Sequence, residues 1–390
     1  MNAGTLAVRI VADDLTGALD AAAPLAARLG AFTVGWHADA VPDAERAAFD
    51  TGTRDLGSEA AVRRTAAVAR RWWRGFSGLA FKKVDSVWRG HAAAEIAAAM
   101  AVAEFDIAVV APAFPALGRI TRDGAQWVTT DAQARCVASD LVADLRAAGL
   151  DAARDGAGGA AARVVVCDAG DQRALEAIVE RHAVAGRRRL WCGSAGLAHA
   201  LARALPGADG ALPSAPPAAI GSRGPIVVVV GTDHPVAQAQ AAALARVPGV
   251  FEMWIDVDQE DGAGAPVAPV GASVILLRFA VRAGQRRADV QRHARQALLR
   301  AAPRLPRPRL AIATGGETLS ALAAALGASE LAVAGERRTG VPSCAWMDGR
   351  WAGTALFSKS GGFGAPDLLA SLVLDAGAPV AAPHALLRNN

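Results

Sequence analysis

Short apolar runs alternate with alanine-rich stretches along most of the 390 residues, and this alternation restricts the fold more than any other feature. "LAVRIVA" (6–12) reads as a buried strand, "ALDAAAPLAARLG" (18–30) as a helix ended by Gly30, and "AFTVGW" (31–36) as the next strand. Further strands are expected at 77–86, 107–114, 162–170 and 188–196, with a helix over 92–105. A run that is apolar throughout suits a strand buried on both faces, and helices between such strands imply a parallel sheet covered on both sides.

The pattern breaks at "LPGADGALPSAPPAAIGSRGP" (205–225), which has neither the helical nor the strand period. It restarts with "IVVVVG" (226–231) and a helix from Pro235, then continues through strands at 273–279 and 310–316 and a helix over 317–327. The last core segments are 354–364 and a helix from Pro366. The expectation is two α/β domains with mainly parallel sheets, at 1–206 and 225–390, joined by a linker at 207–224. The length agrees, because one core rarely serves so many residues.

Composition excludes several functions. The net charge of +4 is spread thinly, and nucleic-acid binding would want a concentrated basic stripe with aromatics between. Four cysteines lie far apart without a CxxC pair, and the seven histidines show no metal-ligand spacing. No run of about 18 apolar residues is present to span a membrane. The N-terminus reaches charge too soon for a signal peptide. The reading is a soluble, cytoplasmic protein, with a homo-oligomer left open.

In parallel α/β sheets ligands bind in the loops after the strands. In the first half these loops are "ADDLTGA" (12–18), "TGTRDLG" (51–57), "KKVDSVWRGH" (82–91) and "APAFPALGRITRDG" (111–124). They are crowded with charge and suit a small hydroxylated anion. Arg54 or Arg89 could clamp its carboxylate, and Asp13 or Asp14 could accept a hydroxyl proton. Lysine is scarce: among 41 basic residues only Lys82, Lys83 and Lys359 are lysines, and all three fall in or beside these loops. In the second half the loops are "GTDHP" (231–235), "TGGET" (314–318) and "KSGGFG" (359–364). Glycine-rich turns before helices present bare amides to phosphate oxygens.

Four familiar motifs fail. No Gly-Lys pair exists, so there is no P-loop. "GAGGAA" (156–161) precedes a strand, where a dinucleotide fingerprint would follow one. "CGSAG" (192–196) nearly matches a nucleophile elbow around Ser194, but no triad order accompanies it. In "ADDLTG" the second Asp stands at the wrong spacing for a DxDxT phosphatase loop.

Taken together, "ADDLTGA", "KKVDSVWRG", "APAFPALGR", "CGSAGLA", "TGGET" and "KSGGFG" resemble the four-carbon acid sugar kinase family over almost the whole chain. The resemblance implies an ATP-dependent kinase acting on the terminal hydroxyl of a D-threonate or D-erythronate type acid, with Mg2+ as cofactor. It implies an N-terminal substrate domain and a C-terminal nucleotide domain, with closure over the linker. One of Asp13 and Asp14 would be the base, and Arg54, Lys83, Asp85, Ser86 and Arg89 would bind the sugar acid. His234, Gly315, Gly316, Glu317, Thr318, Lys359, Gly361 and Gly362 would bind the nucleotide. The sequence departs from the family pattern at Val87 and Ala237, each in place of Thr, at Trp88 in place of Leu, and at His234 in place of Ser. A 3-oxo-tetronate kinase, a catalytically degenerate sugar-acid sensor and a Ser194 hydrolase are the rival readings.

Overall fold

A computed structural model of the chain describes residues 6–37, 41–130, 133–156, 162–184, 186–205, 220–256, 271–280 and 287–378. It divides into two units, Met1–Ala215 with Val333–Thr339, and Pro216–Ala332 with Gly340–Asn390. Residues 207–219 of the expected linker, and most of "GAGGAA", lie outside the described residues.

Unit 1 begins with β1 (Val8–Ala12), α1 (Leu15–Leu29), β2 (Phe32–Gly35), β3 (Arg46–Asp50), α2 (Ser58–Trp73) and β4 (Leu79–Lys83). It continues with α3 (Ala92–Ala103), β5 (Ile107–Ala111), β6 (Arg119–Arg122), β7 (Ala125–Thr129) and β8 (Ala134–Ala138). It closes with α4 (Leu141–Ala147), β9 (Ala152–Arg154), β10 (Val164–Val166), α5 (Gln172–His182), β11 (Arg189–Gly193) and α6 (Ala195–Ala204). The main sheet runs β2-β3-β1-β4-β11-β5-β10-β9, and every pairing in it is parallel. Its central strands are buried on both faces, as the continuous apolar runs require; β5 has no exposed residue.

Unit 2 contains β12 (Ile226–Val230), α7 (Pro235–Ala245), β13 (Val250–Asp256), β14 (Val274–Ala280), α8 (Arg287–Ala301), β15 (Leu310–Thr314) and α9 (Gly316–Leu326). After β16 (Glu330–Arg338), most of which groups with unit 1, come β17 (Val341–Trp346), β18 (Ala355–Lys359) and α10 (Leu368–Asp375). The order is β13-β14-β12-β15-β18-β17, parallel except for β17 against β18. β12 and β15 are buried throughout. The two α/β domains with mainly parallel sheets are those expected.

Several boundaries move. The expected strands at 77–86, 107–114 and 354–364 stop at Lys83, Ala111 and Lys359, because the residues beyond carry loop chemistry. The first helix starts at Leu15 because Asp14 caps it, its side chain accepting from the Gly17 amide. β3 and α2 escaped the sequence reading. So did the three-stranded antiparallel sheet β6-β7-β8, whose last strand is largely exposed and lacks an apolar period.

Both sheets have a topological switch. In unit 1 the chain winds from β1 to β2 and β3 on one side, then to β4 and beyond on the other. In unit 2 it winds from β12 to β13 and β14, then to β15 and β18. The crevices at β1/β4 and β12/β15 are where such sheets take ligands.

Candidate active site

The β1/β4 crevice is built from loops that leave three adjacent strand ends, in register at Ala12, Asp50 and Lys83. Arg54 arrives from the loop after β3. Its Nε and Nη2 donate to Asp13 Oδ2 and Oδ1 at 2.9 and 2.8 Å, and Nη2 donates to Asp14 Oδ1 at 2.7 Å. The same Nη2 lies 3.9 Å from Asp85 Oδ1. The loop is tied down by its backbone, since the Thr53 and Arg54 amides both donate to the Asp13 carbonyl. The Thr51 hydroxyl donates to the Ala12 carbonyl at 2.7 Å.

The "KKVDSVWRG" segment folds around Asp85. Its carboxylate accepts from the Val87 and Arg89 amides at 3.3 and 3.1 Å, and from Arg89 Nε and Nη2, both at 2.8 Å. Trp88 takes a left-handed φ of 64° to close this turn and donates Nε1 to Asp144 Oδ2 at 3.0 Å. Gly90, at φ 79°, packs against Arg54, where a β-carbon would meet Arg54 Cγ at 3.4 Å. That contact is an ordinary one, so it is the left-handed backbone at Gly90 that favours glycine there.

The adjacent lysines part company. Lys82 turns into the core and pairs with Glu95 of α3. Lys83 turns toward the carboxylates: a β-carbon on Gly17 would come within 2.9 Å of its Nζ and 2.3 Å of Asp14 Oδ1. Among the described residues no carboxylate holds Lys83 at ion-pair distance, although its field acts on Asp13, Asp20 and Asp85.

Burial alone would push the Asp13 carboxyl up, but Arg54, Lys83 and Lys82 outweigh it and hold it below the usual carboxylate range. Asp85 is likewise held low, burial being opposed by the Arg89 hydrogen bonds and the charges of Arg54, Arg89 and Lys83. Asp50 shows the opposite balance. Burial, then the neighbouring Asp14 charge, push it up to about 8, although the Gly52 amide donates to it at 2.6 Å.

Of the expected substrate residues, Asp13, Asp14, Arg54, Lys83, Asp85 and Arg89 come together. Arg89 is the outermost, its side chain 63% exposed against 16% for Arg54. Ser86 enters through its backbone, its carbonyl accepting from Gln126 Nε2 at 2.7 Å. Gln126, Asp50 and Gly17 were missed as site residues. Gly17 stood inside a quoted motif, whereas Gln126 lies on the antiparallel sheet that carried no signal. Ser194 caps α6: its hydroxyl donates to the Ala113 carbonyl at 2.6 Å, accepts from the Gly196 amide, and is buried. A hydroxyl so held is structural.

In unit 2 the three glycine-rich loops converge on Thr232, a residue the sequence reading passed over. A β-carbon on Gly361 would come 3.1 Å from Thr232 Cγ2, and one on Gly315 3.4 Å from its Cβ. One on Gly231 would come 2.7 Å from Thr318 Oγ1, and one on Gly362 3.1 Å from His234 Nε2. Gly315, at φ 96°, opens α9 with no side-chain cap, so the helix N-terminus and its dipole face the loop. The Gly315 amide donates to the Lys359 carbonyl at 2.9 Å, joining two of the loops.

His234 does the work of a capping serine, its Nδ1 accepting from the Val236 amide at 3.3 Å. Lys359 is buried, its ammonium donating to the Ser360 carbonyl at 2.7 Å and lying 5.5 Å from the Phe363 ring centre. Burial pushes it down to about 8. The exposed carboxylates of these loops are Asp233 and Glu317.

The family comparisons cover the first crevice and, of the second, the loops that carry Gly315 and Gly361. A family described as a sugar-binding N-terminal domain matches residues 8–144, and one described as a nucleotide-binding C-terminal domain matches 271–369. D-threonate kinase of Bordetella bronchiseptica is 35% identical over 93% of this chain and 95% of its own length. D-threonate kinase of Cupriavidus necator is 34% identical over 85% of this chain and 89% of its own length. A solved structure from Salmonella typhimurium LT2 shares the fold at a TM-score of 0.72 and 19% identity, covering 94% of this chain and 98% of that one. Two switch-point crevices, one lined by paired carboxylates and arginines and one by glycine turns, thus coincide with a sugar-binding and a nucleotide-binding domain, and the chain belongs to the four-carbon acid sugar kinase family.

Proposed function

We propose that the chain transfers the γ-phosphate of ATP to the terminal hydroxyl of D-threonate or a closely related tetronate. The observation that carries this reading is Arg54, whose one guanidinium spans Asp13 and Asp14 and stands 3.9 Å from Asp85 at the β1/β4 switch point. A small polyhydroxy acid offers one carboxylate and several hydroxyls, and this cluster supplies both cations and acceptors for them.

In this reading the exposed guanidinium of Arg89 takes the carboxylate. Asp13, locked by Arg54, fixes the arginine, and Asp14, with 19% of its side chain exposed against 5%, faces the acceptor hydroxyl and orients or takes its proton. Lys83 offsets charge on the transferred group. The uncapped start of α9, the glycines at 315, 361 and 362, Thr232 and Lys359 hold the nucleotide phosphates. Were Mg2+ bound with the phosphates, Asp233 and Glu317, the exposed carboxylates of these loops, would be the residues to hold it, and it would neutralise charge on the transferred group. A kinase drawing on ATP fits the cytoplasm, and among the described residues no helix is long and apolar enough to cross a membrane.

The sensor reading rested on His234 and Val87, but His234 caps its helix and Val87 supplies an amide to Asp85. Calorimetry of D-threonate with the nucleotide-free protein tests the substrate site. Binding that is lost in Arg89→Ala supports it; unchanged binding in that variant removes the carboxylate clamp.

A further inference from the structure

A second cluster lies on the far strands of unit 1, away from the β1/β4 crevice. Asp155 follows β9, Cys167 follows its parallel neighbour β10, and His182 ends α5. The three come from widely spaced sequence positions, so no ligand spacing was visible in the chain. Their ligand atoms lie within 4.8 Å of one another. His182 Nε2 stands 3.2 Å from Asp155 Oδ2 and 3.9 Å from Cys167 Sγ.

This arrangement is wrong for nucleophilic catalysis. A thiol–imidazole–carboxylate triad uses opposite nitrogens of the ring, whereas here sulfur and oxygen both approach Nε2. It is right for a metal. Zinc bonds of about 2.0–2.1 Å to nitrogen and oxygen and about 2.3 Å to sulfur put tetrahedral ligands about 3.3–3.6 Å apart. The observed separations bracket that range, so small side-chain shifts bring the three atoms onto one ion.

We propose that Asp155, Cys167 and His182 form a binding site for a zinc-class divalent cation, with the fourth coordination position open to the adjoining cavity. That cavity, of about 350 Å³, reaches the site at Asp155, the one of the three ligands in its lining, beside Arg154, Asp168 and Arg181 among others, and leaves room there for a water or small anion. The thiol is buried and gives up its proton on ligation, so uptake releases a proton. The site ties the ends of β9, β10 and α5 together. Arg181 also pairs with Asp155. Its side chain is 59% exposed, so it can move to the other carboxylate oxygen or into solvent. As a nearby positive charge it opposes the cation, and its removal tightens binding.

The test uses the untagged full chain, stripped with chelator and titrated with Zn2+ and with Co2+ alone. One equivalent of zinc retained through gel filtration, and a thiolate-to-cobalt charge-transfer absorption, are expected. The absorption is lost in Cys167→Ser and in His182→Gln, is kept in Cys136→Ser, and in Arg181→Ala appears at lower Co2+ concentration. His182→Gln lies at the end of a surface helix, so it reports even if the buried Cys167→Ser fails to fold. No cobalt–thiolate absorption in the natural protein, or an absorption that survives in a folded Cys167→Ser or His182→Gln, overturns the proposal.

Discussion

Lys82 Nζ lies 2.7 Å from Glu95 Oε2, and the two side chains are 0% and 1% exposed. Its neighbour in sequence, Lys83, points to the opposite end of the strand's chemistry, among the carboxylates of the β1/β4 crevice. Alternation along a strand sends consecutive side chains to opposite faces, and that alone divides the pair. Lys82→Ala leaves Glu95 charged and buried, so a loss of about 3–5 kcal/mol is expected in denaturant unfolding. Lys83→Ala is expected to unfold near the natural midpoint while kcat falls at least tenfold.

Arg54 carries more than binding. Removing it leaves Asp13 buried beside Asp14 with their shared counter-charge gone, while Asp85 keeps its pair with Arg89. Arg54→Ala is expected to cost about 3–5 kcal/mol of stability and nearly all turnover. Arg54→Lys keeps the charge but cannot form the fork to two carboxylates. It should recover part of the stability and little of the kcat/KM, measured on the same preparation.

Asp50 sets a pH dependence of unusual sign. Burial raises its folded pKa to about 8, above the unfolded 3.8, so between these values the folded chain binds the extra proton. Its contribution to stability is present at low pH and is lost as pH rises toward 8. Asp50→Asn keeps an acceptor for the Gly52 amide without the charge. Thermal unfolding across pH 5–9 should show a flatter decline on the alkaline side for the variant than for the natural protein.

Lys359 predicts a pH dependence of binding. Its pKa is pushed down to about 8 by burial, so the free protein loses this ammonium as pH rises past that value. If it meets nucleotide phosphates, affinity for the nucleotide falls above about pH 8, and Lys359→Met flattens the profile. Calorimetric titrations at pH 7 and pH 9 on both proteins decide it.

The parallel architecture was legible because buried strands such as Ile226–Val230 are apolar without a break, and the loops after them concentrate charge or glycine. Asp14 was read as a candidate base, but not as the cap that starts α1 three residues early. Gln126 was not legible: it acts from a hairpin of mixed polarity, and only the fold brings it to the Ser86 carbonyl. The 3.2 Å approach of His182 to Asp155 is of the same kind, since nothing local relates two residues on separate elements. Thr232 lay inside a quoted loop, yet its place at the meeting of Gly315 and Gly361 is a property of three loops together.

The central claim is that the chain phosphorylates a four-carbon sugar acid from ATP. The most direct measurement is ADP release with Mg-ATP against D-threonate, D-erythronate, L-threonate and their oxo-derivatives, with the phosphorylated product weighed by mass spectrometry. The account predicts saturable turnover with D-threonate or a close tetronate, and a product heavier by one phosphoryl group. ATP binding that is intact while none of these acids is phosphorylated would contradict it.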